Sequence, residues 1–169
     1  MSTVRLMNPH SVLAVLEHRP QDVMEVHAST SKSSDAWKHV AATAKNFRIS
    51  VREPIARNNR KSRQADDSGR VGTTYAIVRE KPAVTLDELF ADESKRGVWL
   101  ALDRLQDPHN VGAVFRTAGF FGIKGIILTQ DKSAPITGTV YDTAAGGVET
   151  VPIVLQTNLV RALEVAKKS

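Results

Sequence analysis

Residues 98–117 read VWLALDRLQDPHNVGAVFRT. The first five are an uninterrupted apolar run of the kind that forms a strand buried on both faces. A polar loop, 103–109, follows. From Asn110 the spacing predicts a helix to Phe121, with Val111, Val114, Phe115, Ala118 and Phe121 on one inward face and Gly122 as its stop. At about 100° per residue, Arg116 falls roughly 140° from that stripe. A strand, a polar loop and a helix start make the place where open α/β sheets receive ligands.

The same alternation continues downstream. Residues 125–129 read as a second buried strand. Residues 139–145 read as a helix that ends in Gly146-Gly147, and 151–154 as a third strand. Thr157 can cap a last helix with Leu159, Ala162, Leu163 and Ala166 inward. Strand and helix in strict alternation predict a parallel sheet with right-handed crossovers.

Upstream the elements are shorter. Residues 8–17 read as a helix with Val12, Leu13 and Leu16 inward, and 22–27 as a strand. Ser34 can cap a helix running to about Asn46, with Trp37, Val40, Ala41 and Ala44 on its buried stripe. Residues 48–51 and 73–79 read as strands. Between these last two, 53–70 loses all periodicity. The expected organisation is a small α/β domain over 1–81, a charged linker over 82–96, and a second α/β domain over 97–169.

Composition narrows the classes. The chain has 169 residues, 41% of them apolar, and no cysteine. A disulfide scaffold and a cysteine zinc site are excluded, and a reducing cytoplasm fits. No stretch approaches the roughly 18 apolar residues of a membrane span. The net charge is +5, and it is uneven: residues 38–81 hold eleven Lys/Arg against four Asp/Glu. A basic cluster in one half points to a polyanion such as RNA. Within it Arg57, Arg60, Lys61 and Arg63 are the candidate RNA contacts. The alternative is a solubilising surface.

Two clusters carry candidate chemistry. Asn110 and Arg116 are the first; the bland readings are a helix cap for Asn110 and a solvated surface cation for Arg116. Gly146-Gly147-Val148-Glu149 is the second, since adjacent glycines allow close approach of a ligand or another helix. Asp103, Asp107 and His109 are too few and too weakly spaced to predict a metal site. No phosphate-cradling or dinucleotide glycine pattern occurs.

Taken together the clusters resemble the SpoU-type RNA ribose methyltransferases of the knotted SPOUT superfamily. The first motif matches at Asp107-Pro108-His109-Asn110-Val111-Gly112-Ala113, Arg116-Thr117-Ala118 and Phe121-Gly122. The second matches at Ala145-Gly146-Gly147-Val148-Glu149, followed by Val151-Pro152-Ile153-Val154 and then Thr157-Asn158-Leu159 and Ala162-Leu163. The family often has Ser at the position of Ala144 and Ala at that of Gly147. The first half resembles, more loosely, the RNA-gripping auxiliary domain that precedes many such enzymes. The His-Gln-Gly common there is replaced by Gly69-Arg70-Val71-Gly72-Thr73-Thr74.

The resemblance implies methyl transfer from S-adenosylmethionine to a ribose 2′-hydroxyl of rRNA or tRNA. It implies catalytic roles for Arg116, Asn110 and Glu149, and a cofactor pocket to which Gly146 and Gly147 contribute. It also implies a homodimer in the complete enzyme. The family's Ser/Asn-rich third motif and its trefoil knot would follow Ser169. Residues 1–169 by themselves are therefore expected to hold the first half of the SPOUT domain, to bind the cofactor very weakly or not at all, and to be inactive. The alternatives are an RNA-binding pseudoenzyme or remnant without the cofactor site, and a small-molecule-binding α/β domain unrelated to RNA.

Overall fold

The structure is a computed structural model that describes residues 2–29, 33–53, 74–91 and 96–168. The chain divides into two compact units, Met1–Glu80 and Lys81–Ser169.

The first unit contains β1 (Thr3–Leu6), α1 (Pro9–His18), β2 (Val23–His27), α2 (Asp35–Asn46), β3 (Ser50–Arg52) and β4 (Tyr75–Arg79). The sheet order is β1-β4-β2-β3. β4 runs antiparallel to both neighbours, and β2 pairs with β3 in parallel. Alternation puts Val4 and Leu6, Val26, and Ala76 and Val78 on the buried side, with Val12, Val15, Leu16, Val40 and Ala44 from the helices. Asn8 caps α1, its side chain accepting from His10 N at 3.0 Å. Ser34 stands at the N-cap of α2 as expected, but its side chain makes no capping hydrogen bond. β1 was not legible in the sequence, because four residues against a distant strand carry too little pattern.

The second unit contains α3 (Leu86–Phe90), β5 (Trp99–Leu102), α4 (Pro108–Phe121), β6 (Gly125–Thr129), α5 (Gly138–Ala144), α6 (Gly147–Thr150), β7 (Ile153–Gln156) and α7 (Leu159–Ala166). The sheet is parallel, in the order β5-β6-β7. This is the α/β class and the parallel sheet that the sequence predicts.

Ile127 and Val154, paired across β6 and β7, form one core with Ala162 of α7; Val84, Leu86, Leu89, Phe90 and Leu159 pack against it. The stretch read as a linker over 82–96 is thus, in its described part, built into the second unit. The reason is its apolar content: four hydrophobic residues between 84 and 90 have a sheet face to cover. Thr85 starts α3 with a full capping box: its hydroxyl accepts from Glu88 N, and Glu88 accepts from Thr85 N at 2.7 Å.

Several boundaries differ from the sequence reading. α4 begins two residues earlier, because Asp107 caps it by accepting from His109 N at 2.8 Å, with Pro108 in the first turn. Asn110 is therefore not the cap. Phe121 is not inward but 71% exposed, edge-on to Phe120 at 5.1 Å. Six residues past Phe115, it is rotated about 120° from it. Leu163 is likewise exposed, and α7 is capped by Asn158, not Thr157. β7 starts at Ile153 because residues 147–150 close into α6 first. Gly122 stops α4 in the left-handed region at φ 66°.

Candidate functional site

The polar loop after β5 is held by backbone geometry and by its neighbour. Arg104 takes a left-handed conformation, φ 51°, uncommon without glycine. Its N–H donates to Thr129 Oγ1 at 3.0 Å, and Thr129 Oγ1 lies 2.6 Å from Ser133 Oγ. Ala134 N donates to Leu105 O at 2.8 Å. The loops after β5 and β6 are thereby tied at the carboxyl end of the sheet. Asp103 and Arg104 keep their charges in solvent.

α4 descends from this end. Asn110 lies in its first turn and is exposed. Arg116 is exposed too, eight residues from the start of α4 and so about 12 Å along its axis. Of the two, Asn110 is the one near the carboxyl end of the sheet. The two are also about 120° apart around the helix, because six residues turn it by roughly 600°. Among the described residues the Arg116 guanidinium makes no ion pair.

What Arg116 does adjoin is the second motif. α5 ends in two successive left-handed residues, Ala145 (φ 47°) and Gly146 (φ 103°), which turn the chain straight into α6. There Gly147 meets α4. A Cβ on Gly147 would stand 2.3 Å from Phe115 O and 2.9 Å from Arg116 N. Two more glycines on α4 complete the fit. A Cβ on Gly112 would lie 2.6 Å from Thr143 Cβ and 2.8 Å from Val140 O of α5, and one on Gly119 2.9 Å from Thr150 Oγ1 of α6. His109 Nδ1, at 3.3 Å from Thr143 Oγ1, adds a polar tie between α4 and α5. Three glycines let three helices approach to backbone distance. That closeness brings the two motifs, 30 residues apart in sequence, into backbone contact.

Glu149 lies on α6 and is 7% exposed. It stands in a helical turn. Gly147 is closed off by the Phe115–Arg116 peptide, so packing is what its missing side chain serves. Gly146 is the part of the turn that stays partly open. A cavity of about 430 Å³ borders Glu88, Trp99, Gly119, Lys124 and Pro152, but neither Gly146 nor Gly147 lines it. One half-open glycine does not enclose a cofactor. Arg57, Arg60, Lys61 and Arg63 lie outside the described residues. No group of three metal-ligating side chains, and no helix long and apolar enough to cross a membrane, occurs among the described residues.

Residues 97–169 match the SpoU rRNA Methylase family. This segment is of SpoU type. The SpoU match is accompanied by likeness over nearly the whole chain to 23S rRNA (guanosine-2′-O-)-methyltransferases named RlmB. The protein of Vibrio cholerae is 34% identical over 169 residues, covering 96% of this chain and 66% of its own length. That of Neisseria meningitidis is 36% identical over 160 residues, covering 94% of this chain and 63% of its own. The chain thus spans just under two thirds of these relatives. Among solved structures, the SpoU methyltransferase AviRb of Streptomyces viridochromogenes with AdoMet superposes with a TM-score of 0.68 at 17% identity, over 98% of this chain and 60% of that one. The AdoMet-bound rRNA methyltransferase of Sinorhizobium meliloti gives 0.64 at 19% identity, over 97% and 59%. At these identities the likeness is one of SpoU fold.

Sequence reasoning missed Lys81, placed at the very end of the first domain. Lys81 Nζ donates to Val148 O and Glu149 O at 2.8 Å each and to Val151 O at 3.2 Å. These partners lie 67 to 70 residues away, beyond any local pattern.

Proposed function

We propose that this chain belongs to an S-adenosylmethionine-dependent methyltransferase that modifies a ribose 2′-hydroxyl of ribosomal RNA, with a guanosine of 23S rRNA as the target. The observation that carries this reading is the meeting of Arg116 with the Gly146–Glu149 turn inside the segment that matches the SpoU family. The relatives named for this reaction supply the substrate class.

S-adenosylmethionine, the ligand of two proteins of like fold, would supply an electrophilic methyl group. The chain's own part is to position the RNA. Arg116 carries a guanidinium, a planar cation with five N–H donors and no acceptor. It therefore holds a phosphate and stabilises negative charge developing on the 2′-oxygen, and does not act as base. Its exposure leaves the guanidinium open to RNA. Asn110, exposed at the other end of α4, is placed to hydrogen-bond RNA. Glu149 is buried and orients the site from behind. Arg57, Arg60, Lys61 and Arg63 add phosphate contacts from the first half. A ribosomal RNA substrate puts this work in the cytoplasm, and a homodimer is the expected assembly.

The test is methyl transfer by the full-length protein from labelled S-adenosylmethionine to 23S rRNA, read as alkali-resistant, 2′-O-methylated nucleotides. Label at one guanosine is the expected result. RNA binding without label would replace this reading with that of a pseudoenzyme, and neither binding nor label would remove RNA altogether. In the binding arm, replacing Arg57, Arg60, Lys61 and Arg63 with Ala should flatten the salt dependence by about 0.7 of a log unit per lost single-strand phosphate contact.

A further inference from the structure

Lys81 lies ahead of the 97–169 family segment, and its contacts converge on the site. Its backbone N–H donates to Tyr141 Oη, on α5, at 2.8 Å. Tyr141 is 2% exposed. Its ammonium donates to the carbonyls of Val148, Glu149 and Val151. An ammonium has three donors and no acceptor, which suits it to a group of carbonyls. They sit at the carboxyl end of α6, a single turn of four residues. The last carbonyls of a helix have no partner within it, and a cation there is favoured both by hydrogen bonding and by the helix dipole.

The other end of α6 is equally constrained. Gly147 abuts the peptide between Phe115 and Arg116, with no room for a side chain. α6 is thus held between Lys81 at its carboxyl end and the backbone of Arg116 at its start. A turn this short has almost no cohesion of its own. These two contacts, with Gly119 of α4 against Thr150, hold it in place, and Glu149 sits with it.

We propose that Lys81 is a positioning residue for the Arg116–Glu149 site: it fixes α6 against α4 and so sets the placement of both side chains. The catalytic part of this statement rests on the proposed methyl transfer; the placement of α6 does not.

Lys81→Met keeps an unbranched stem, one atom shorter, and removes all three donors. Two readouts on the full-length protein separate positioning from mere stability. The first is the amide NMR spectrum: Gly147, Val148, Glu149 and Arg116 should shift, while the amides of α2 should not. The second is the single-turnover rate at saturating RNA and S-adenosylmethionine, measured well below both melting temperatures. It should fall at least about tenfold, with RNA affinity within about twofold, since small misplacements act on the reacting geometry more than on binding. Lys81→Arg retains the charge at the helix end and should recover part of that rate. Unshifted Gly147 and Arg116 amides would overturn the proposal, and so would an unchanged rate in an active protein. If wild type transfers no methyl group, the methyltransferase reading fails and the amide shifts alone decide the role of Lys81. If the Met variant does not fold, Lys81→Arg carries the same test, because its planar fork cannot meet the same three carbonyls and must displace the four amides.

Discussion

The α-carbon of Gly147 rests on the carbonyl of Phe115, so close that a Cβ would stand 2.3 Å from its oxygen. This one contact brings the second motif against the residue next to Arg116. A methyl group there meets backbone, which cannot rotate away as a side-chain end can.

Gly147→Ala should therefore destabilise the protein by about 1–3 kcal/mol, the usual cost of forcing atoms into a packed interior. The better helix propensity of Ala, worth about 1 kcal/mol, offsets only part of this. Urea unfolding of the two proteins measures the difference. Equal midpoints would mean that α4 and α6 separate freely.

Gly122 is the contrasting case. It takes φ 66°, yet a Cβ there would touch nothing within 4 Å. Gly122→Ala should cost about 1 kcal/mol through backbone strain alone. Gly122→Asn should cost less, since Asn visits the left-handed region more readily. A thermal melt that ranks Gly, Asn and Ala in falling order bears this out; Ala equal to Gly refutes it.

Arg116 is exposed and lies off the buried stripe of α4. Arg116→Ala should change stability by about 0.5 kcal/mol or less, apart from any apolar surface covered by its stem. In the full-length protein it should lower methyl transfer by roughly 10²–10³, the range for losing one charge-stabilising group. Arg116→Lys should restore little, because a point charge does not reproduce a planar fork. Single-turnover assays with melts alongside decide it. Normal turnover in the Ala variant removes Arg116 from the chemistry, and a large drop in melting temperature makes it structural.

Glu88 closes the capping box of α3, and the hydrogen bonds from the Thr85 backbone and then its hydroxyl hold the Glu88 carboxyl below its ordinary range. A carboxyl with a lowered folded pKa contributes stability above its unfolded pKa of about 4.3, and that contribution is lost as pH falls through the folded value. The cap should thus be intact at neutral pH and open in acid. Carbon-13 NMR of the Glu88 carboxyl should titrate below a model peptide. Thr85→Ala removes the hydroxyl contact and should move the midpoint upward. A midpoint at the peptide value in the wild type would mean that the capping box does not form in solution.

β5, β6, β7, α4, α5 and α7 were legible in the sequence because their patterns are local. The five residues of β6 are all buried and centre on the apolar run Ile126–Leu128, and Val111, Phe115 and Ala118 mark the inner face of α4 at helical spacing. Arg116 was legible for the same reason, as the residue off that face. Asp107 was mistaken for loop because two capping residues, Asp107 and Asn110, stand three apart and either could start a helix. The side-chain hydrogen bond from His109 N to Asp107 chooses between them.

What the tertiary structure alone decided is which distant groups meet. β1 exists because Thr3–Leu6 pairs with Arg79–Ala76 across the chain. Gly147 is a glycine because α4 passes over it, and Lys81 finds its carbonyls 67 to 70 residues away. Periodicity and capping report on neighbours within about four residues. By itself the sequence therefore determined most of the elements, most of their inward faces and the two motifs. The join between those motifs depends on the distance at which three helices pack, and only the folded chain sets that distance.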